Sequence, residues 1–255
     1  MNKIEIDILI KQVRQTLVDN VDEKTLALSH RFHKKGEAAK IHGVKFAEVS
    51  KIAKAFFEQI EECPKQTVFE LCQELWKSGY LDEAVIACIW SQSLHKKYEP
   101  ADFVVFEHWL NSYVTNWGDC DTLCNHTIGA FVVMYPDYIA KLKEWAKSSN
   151  RWVRRGAAVT LIIPAQKGLF LNEILEIADI LLLDKDDLVQ KGYGWMLKAA
   201  SMTEKSAKGS DDVKEAHLEA VFSYVMKNKA MMPRTALRYA IEKMPADLKV
   251  KAIEK

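Results

Sequence analysis

Trp117 and Asp121 bring an aromatic ring and a carboxylate together in the stretch NWGDCDTLC, residues 116–124. They are four residues apart, so a helix would place both side chains on the same face. An indole face and a carboxylate can together hold a positive charge. The alternative is structural, with Asn116 or Asp119 capping the helix and Trp117 packing against its neighbours. Asp121 lies too far into the helix to cap it, so its position favours the chemical interpretation.

The same stretch carries two thiols, Cys120 and Cys124, followed by His126. Two Cys four residues apart with a nearby His could bind Zn²⁺, but no fourth ligand follows at the usual spacing. A Cys–His nucleophile pair also needs a group that orients the His, and the sequence offers none. We therefore interpret both Cys residues as small packing side chains and predict no metal site.

The elements that position these residues are predicted to be helices. Apolar residues recur at three- and four-residue spacing along nearly the whole chain, and no convincing alternating strand occurs. Short polar turns at 78–80, 148–150 and 183–187 separate the helices, and the longest polar break covers 203–212. The sequence thus predicts an all-α protein.

Predicted helix starts recur at a regular interval. They lie at Phe46, Leu81, Asn116, Arg151, Asp187 and Met232. The first three intervals are 35 residues, the next is 36, and the last, which contains the polar break, is 45. One helical hairpin per interval indicates HEAT-like repeats, which stack because a single hairpin cannot bury its apolar face alone. We predict a curved α-solenoid, a single domain over residues 1–255 with about six stacked repeats.

The composition is typical of a folded protein with a substantial core. The 255 residues are 49% hydrophobic and 28% charged, and the formal net charge is +1. No run approaches the roughly 18 apolar residues of a membrane span, and no signal-peptide core is evident, so we expect no membrane association. Five Cys at irregular spacing favour reduced thiols in a cytoplasmic protein over a disulfide framework.

The small net charge conceals strongly charged segments. Residues 31–54 hold seven basic and two acidic residues, 141–155 hold six and one, and 227–243 hold five and one. Residues 169–188 are the reverse, with six acidic residues and one basic residue. The basic segments indicate a polyanionic partner, whereas the overall balance alone would not.

Four of the cations would form a ladder along the concave face of a solenoid. They fall near the starts of helices that hold the same place in successive repeats: Arg154, Arg155, Lys191 and Arg234. Helix N-termini add free N–H groups to that face, and the acidic segment would lie mostly on the other helix layer. Such a face suits the phosphate backbone of duplex DNA. The alternative is that these residues are solvated ends of surface helices.

Five stretches, in this order, resemble the AlkD-type DNA alkylation repair enzymes, which are DNA glycosylases built of HEAT-like helical repeats. They are IHGVKFAEVSKIAK (41–54), NWGDCDTLC (116–124), KEWAKSSNRWVRRGAAVTLI (143–162), VQKGYGWMLKAAS (189–201) and MPRTALRYAIEKMP (232–245). The resemblance implies hydrolysis of the N-glycosidic bond of cationic alkylated purines, such as N3-alkyladenine and N7-alkylguanine. It implies neither a metal nor a cofactor.

The resemblance also implies which residues form the site. The lesion-binding residues would be Trp117, Asp121, Arg155 and Trp195. The residues expected to bind the DNA backbone are Lys45, Arg154, Lys191, Lys198, Arg234 and Arg238. The partner would be double-stranded DNA with alkylated bases, bound by a monomer in the cytoplasm in association with the nucleoid.

Two other functions stay open at this point. Members of this superfamily are known to have kept the fold without the activity, so a catalytically inactive relative that recognises bent or branched DNA is one alternative. A protein-interaction solenoid without a nucleic-acid partner is the other. Salt-dependent binding to duplex DNA would separate the last of these from the two DNA-binding functions.

Several further residues carry predictions of their own. Gly118 precedes a second carboxylate, Asp119, to which the sequence assigns no role. Gly192 and Gly194 interrupt a predicted helix at a cost of ~1 kcal/mol each, which indicates close approach of DNA or of a neighbouring helix. Four Trp residues fall in apolar stripes and are predicted to lie in the core: Trp76, Trp90, Trp109 and Trp145.

Overall fold

The computed structural model describes residues 1, 3–29, 40–203 and 211–254. The chain divides into two compact units, Met1–Phe131 and Val132–Lys255. The predicted basic residues Arg31, Lys34 and Lys35 lie outside the described residues. Within the described part every regular element is helical, and strand-like pairing is limited to one isolated bridge between Lys40 and Tyr80. The all-α prediction is therefore confirmed for the residues described.

The N-terminal unit is built from α-helices joined by short connections. They are α1 (Lys3–Asp19), α2 (Glu23–Ser29), α3 (Phe46–Phe57), α4 (Lys65–Trp76), α5 (Leu81–Ser93), α6 (Asp102–Ser112) and α7 (Trp117–Thr122). A π-helical segment, Leu123–Ile128, continues α7 without a break, and α8 (Gly129–Met134) follows it. Within this unit α5 packs against α3, α4 and α7, so it is the central helix beside the candidate residues.

The C-terminal unit is likewise helical. Its α-helices are α9 (Ile139–Trp145), α10 (Arg151–Val159), α11 (Ile162–Gln166), α12 (Leu171–Leu181), α13 (Asp187–Ala200), α14 (Asp211–Asn228), α15 (Arg234–Ile241) and α16 (Ala246–Ile253). Here α13 is central, because it packs against α10, α11, α12 and α15.

The predicted interval between helix starts matches the structure closely. Helices begin at four of the predicted residues: Phe46, Leu81, Arg151 and Asp187. The other two begin within two residues of the prediction, at Trp117 and Arg234. Within each unit these helices are neighbours in sequence order, α3–α5–α7 in the first and α10–α13–α15 in the second. Stacking of all the repeats into one curved solenoid stays a prediction.

Large aromatic side chains form much of the interior. Trp76, Trp90, Trp109 and Trp145 are all buried, as predicted. In the N-terminal unit Phe69 and Phe106 pack edge-on near Trp109, which gives a dense aromatic core behind the exposed helix faces. All five Cys lie among the described residues, and none of them is in a disulfide. Among the described residues, no helix has both the length and the apolar character needed to cross a bilayer.

Candidate functional site

The start of α7 is fixed by a reciprocal pair of side chains. Asn116 precedes the helix in an extended conformation, and its Oδ1 accepts a hydrogen bond from the Asp119 backbone N–H at 3.0 Å. Its Nδ2 donates to Asp119 Oδ2 at 2.6 Å. This is the arrangement of an N-cap residue with an acidic partner three positions later, so the capping interpretation of Asn116 is confirmed. The pair holds the turn that carries Trp117.

Trp117 and Asp121 both retain access to solvent. Trp117 is 36% exposed, and Asp121, one turn further along α7, is half-buried. Because helical side chains lean toward the N-terminus, Asp121 leans toward the turn that contains Trp117. Asp121 is thus not sealed in the hydrophobic interior.

Asp119, in contrast, faces the interior of the N-terminal unit. It is 3% exposed, and its Oδ1 is buried without a hydrogen-bond partner among the described residues. Burial raises the pKa of Asp119 to about 7, although hydrogen bonds from Thr115 and Asn116 act in the opposite direction. The residue to which the sequence assigned no role therefore supports the helix start from within.

Gly118 allows α5 to approach the same turn. A Cβ at this position would lie 3.1 Å from Asn116 Oδ1 and 3.3 Å from Leu81 Cδ1. Leu81 is the first residue of α5, so the two helix starts are in contact here. The absence of a side chain at Gly118 thus brings Leu81 beside Trp117.

The π-helical segment that follows α7 buries most of its side chains. Cys124 and Thr127 are fully buried, and Thr127 Oγ1 lies 3.0 Å from Ser91 Oγ of α5. Cys120, just before the segment, is also fully buried, whereas His126 is exposed. The two thiols are packing residues, as predicted. A π-helical turn is uncommon and often accompanies a functional site, but no feature of the sequence signalled this one.

Arg155 is the most deeply buried of the predicted site residues. It is 5% exposed, and its Nη1 donates a hydrogen bond to the backbone oxygen of Leu188. Gly192 of α13 faces it, and a Cβ there would lie 3.4 Å from Arg155 Cγ. The helix containing Arg155 is thereby attached to α13, which also carries the half-buried Trp195.

Gly194 marks a second close approach within the C-terminal unit. A Cβ at this residue would lie 2.7 Å from the Ala236 backbone oxygen and 2.7 Å from Tyr239 Cβ. Helix α15, which contains both residues, therefore packs directly on the backbone of α13. Of the two explanations offered for the helical glycines, the neighbouring helix is the one confirmed at Gly194.

Most of the residues predicted to bind DNA already contact a carboxylate in their own unit. In the C-terminal unit Arg154 Nε lies 2.6 Å from Asp184 Oδ2, and Lys191 Nζ lies 3.3 Å from Asp187 Oδ2. Lys198 Nζ lies 2.9 Å from Glu242 Oε2.

Lys45 in the N-terminal unit is likewise 2.9 Å from Asp22 Oδ2, whereas Arg234 and Arg238 are exposed. The cations are accessible but partly neutralised.

The acidic segment 169–188 was expected to lie mostly away from the basic ladder. Instead, two of its members contact the basic side chains at the start of α10. Arg154 pairs with Asp184, and Arg151 Nε lies 2.8 Å from Asp186 Oδ2. Asp184 and Asp186 belong to the turn before α13, and their contacts with the start of α10 are not revealed by the helical period. Placement of the acidic residues of α12, which are Glu173, Glu176 and Asp179, on the other helix layer stays a prediction.

Comparison with known proteins identifies the class. Residues 13–210 match the family model for DNA alkylation repair enzyme, and the chain belongs to that family. A solved structure from Enterococcus faecalis, described as a predicted DNA alkylation repair enzyme, has the same fold at a TM-score of 0.68 and 15% sequence identity. That match covers 88% of this chain and 96% of the other. No curated protein matches the chain.

Proposed function

We propose that this protein is a DNA glycosylase that binds duplex DNA and hydrolyses the N-glycosidic bond of cationic alkylated purines. The observation that carries the proposal is the placement of a half-buried carboxylate, Asp121, one helical turn from the solvent-facing indole of Trp117. Membership of the DNA alkylation repair enzyme family supports DNA as the partner.

The chemistry requires little help for the leaving base. An N-alkylated purine already carries a positive charge, so it departs without a strong general acid. The remaining barrier is the positive charge that develops on the sugar. In this proposal Asp121 stabilises that charge and orients the attacking water, in the way that carboxylates act in glycoside hydrolysis. The reaction breaks the bond between base and sugar and adds one water across it.

Aromatic side chains would hold the cation in place. Trp117 presents an exposed ring to the cation, and the half-buried Trp195 of the C-terminal unit stays the second indole that the family resemblance implies. A cation against an indole gains about 0.5–2 kcal/mol, depending on desolvation. Arg155 would hold a backbone phosphate through the small accessible part of its side chain. Its hydrogen bond to the Leu188 backbone oxygen holds the guanidinium in place before DNA binds.

The other cations would bind the DNA backbone by exchanging partners. Lys45, Arg154, Lys191 and Lys198 each exchange a carboxylate for a phosphate, so each gains less than an unpaired cation would. Arg234 and Arg238 are exposed and have no such exchange to make in the described structure. Binding is therefore expected to be moderate in strength and to weaken with salt. The protein would act as a monomer on DNA in the cytoplasm.

The experiment is base release from a duplex that contains one N7-methylguanine. We expect free N7-methylguanine to appear by chromatography, and no base to appear from the unmodified duplex. Salt-dependent DNA binding without any base release would contradict the glycosylase and support the non-catalytic DNA-binding alternative. The absence of salt-dependent binding would contradict both.

A further inference from the structure

Asp119 and Asp121 lie on different sides of α7, the helix that would supply the carboxylate of the proposed reaction. Each residue of an α-helix turns the side chain by about 100°, so residues two apart differ by about 200° around the axis. Asp119 accordingly is buried in the N-terminal unit, whereas Asp121 is half-buried. A contact that fixes the inner side chain therefore also fixes the rotation of α7 about its axis, and with it the direction of Asp121.

Helix α7 is too short to fix its own orientation. It has six residues, and isolated helices shorter than about 12 residues are marginal in water. At its C-terminal end the π-helical segment Leu123–Ile128 continues the chain and is attached to α5, since Thr127 Oγ1 lies 3.0 Å from Ser91 Oγ. The N-terminal end of α7 needs an anchor of its own.

The pair formed by Asn116 and Asp119 is that anchor. Both side chains are almost fully buried, at 1% and 3% exposure. The amide of Asn116 uses its two polar atoms on one residue: Oδ1 accepts from the Asp119 backbone N–H at 3.0 Å, and Nδ2 donates to Asp119 Oδ2 at 2.6 Å. A hydrogen bond restricts direction as well as distance. The two bonds together hold the first turn of α7 against rotation.

Stability alone does not explain a carboxyl group at this position. Asp119 Oδ1 is buried without a hydrogen-bond partner among the described residues, and burial raises the pKa of the group to about 7. Burying such a group costs free energy that an apolar side chain of similar size would not cost. The hydrogen-bonded carboxyl nevertheless gives a fixed direction, which an apolar side chain does not. This trade is understandable in a helix whose outer face must be aimed.

We propose that Asn116 and Asp119 are a pair of positioning residues that aim Asp121 and Trp117 at the sugar of the damaged nucleotide. The proposal rests on the glycosylase function proposed above and adds to it two residues that do not touch the substrate. Displacing a reacting group by about 1 Å can reduce a rate by about 100-fold. Loosening one end of α7 is a smaller disturbance, so we expect a loss of about tenfold.

The first test breaks the pair from either side. Asn116→Ser keeps an oxygen that can cap the helix but removes the donor to Asp119. We expect the single-turnover rate of N7-methylguanine release to fall about tenfold. The dissociation constant for the same duplex should stay within about twofold, because the pair is buried away from DNA. Asp119→Ala should lower the rate by a similar factor, and combining the two substitutions should lower it little further, since both remove the same bond.

The second test restores the bond with its direction reversed. In the double exchange of Asn116→Asp with Asp119→Asn, the new carboxylate can still accept from the backbone N–H at 119, and the new amide can donate to it. We expect a rate within about threefold of the parent protein. Val13→Ala is the control for a general loss of stability, because Val13 is fully buried on α1, which packs against α3 and α4. It should leave the rate within about twofold.

Two results would overturn the positioning proposal and leave the glycosylase intact. One is base release by Asn116→Ser within twofold of the parent rate. The other is equally slow release by Asn116→Ser and by the double exchange, which would show that the hydrogen bond between the two positions is not what matters. Absence of base release by the parent protein would overturn both the positioning proposal and the proposed function.

Discussion

The two units of this protein handle charge in opposite ways around their candidate residues. In the N-terminal unit a carboxylate is withdrawn from solvent, since Asp119 is buried and Asp121 is half-buried. In the C-terminal unit Arg155 is buried, but three other candidate cations lie beside carboxylates: Arg154 contacts Asp184, Lys191 contacts Asp187 and Lys198 contacts Glu242. A desolvated carboxylate interacts more strongly with a developing cation, whereas a screened cation binds polyanions weakly and reversibly. In the proposed function, the first unit would supply the carboxylate of Asp121, and the second unit would supply most of the contacts to the DNA backbone.

The helical glycines of the two units also differ in what surrounds them. Gly118 meets side chains, Asn116 and Leu81, which can shift by a few tenths of an ångström. Gly194 meets the backbone oxygen of Ala236, which cannot shift without moving α15. Gly194 is therefore expected to tolerate a side chain less well than Gly118 does.

The largest loss of stability that we expect from a single substitution at constant pH comes from Gly194→Ala. Overpacking against Ala236 should outweigh the gain in helix propensity and lower the free energy of unfolding by about 2 kcal/mol. Gly118→Ala, its counterpart in the other unit, should change it by no more than about 0.5 kcal/mol. Urea unfolding of the parent protein and of both variants measures these changes in the free energy of unfolding. Equal losses would show that the two units do not differ in tolerance.

The next effect concerns the buried carboxyl of the N-terminal unit. The pKa of Asp119 is raised to about 7, so the folded state keeps this proton at pH values where the unfolded chain has released it. Stability should therefore fall as pH rises from about 4 to about 7, by roughly 1 kcal/mol per pH unit, and then level off. Asp119→Asn lacks this group, so the difference in unfolding free energy between the parent protein and the variant should shrink or reverse over that range. If the unfolding free energies of the parent protein and Asp119→Asn changed with pH in parallel, the burial of the Asp119 carboxyl would be contradicted.

A smaller expected effect is a loss of DNA affinity, which should differ between exposed and paired cations of the C-terminal unit. Arg234→Gln should weaken duplex binding about fivefold and reduce the salt slope by about 0.9, because one phosphate contact is lost. Lys198→Gln should weaken it only about twofold, since Lys198 must first leave Glu242. Fluorescence anisotropy at several salt concentrations measures both. A larger loss at Lys198 would show that carboxylate pairing does not limit its contribution.

The smallest expected effect is a gain in duplex affinity. Asp184→Asn removes the charge opposite Arg154 while preserving the shape of the side chain, so Arg154 becomes a better phosphate ligand. We expect duplex affinity to rise about twofold. Asp137→Asn, at an exposed carboxylate in the same unit, is the control and should change affinity less. A decrease at Asp184→Asn would indicate that the ion pair positions Arg154 for DNA rather than competing with it.

Much of the helical order follows from the sequence, because apolar periodicity and short polar turns act locally. The starts of α3, α5, α10 and α13 fall at the predicted residues for this reason. Which side of a helix faces inward is harder to predict where two cations are adjacent. Arg154 and Arg155 differ by about 100° around α10, and only Arg155 is buried. The period alone could not decide between them.

Features that depend on distant contacts could not be predicted. Arg154 and Asp184 are 30 residues apart, and their pairing depends on how the turn before α13 is oriented. The π-helical segment follows from packing, as Thr127 reaches Ser91 of α5. The pocket of about 230 Å³ beside Trp117 is lined from α2, the turn before α3, α3, α5 and α7, so it depends on contacts between elements that are distant in sequence.

The most direct test of the central claim is the single-turnover rate of N7-methylguanine release by Asp121→Asn, measured together with its affinity for the same duplex. We expect a rate at least about 100-fold below that of the parent protein, because the charge that stabilises the sugar cation is lost. The dissociation constant should stay within about twofold. A variant that releases the base within threefold of the parent rate would contradict the assignment of Asp121.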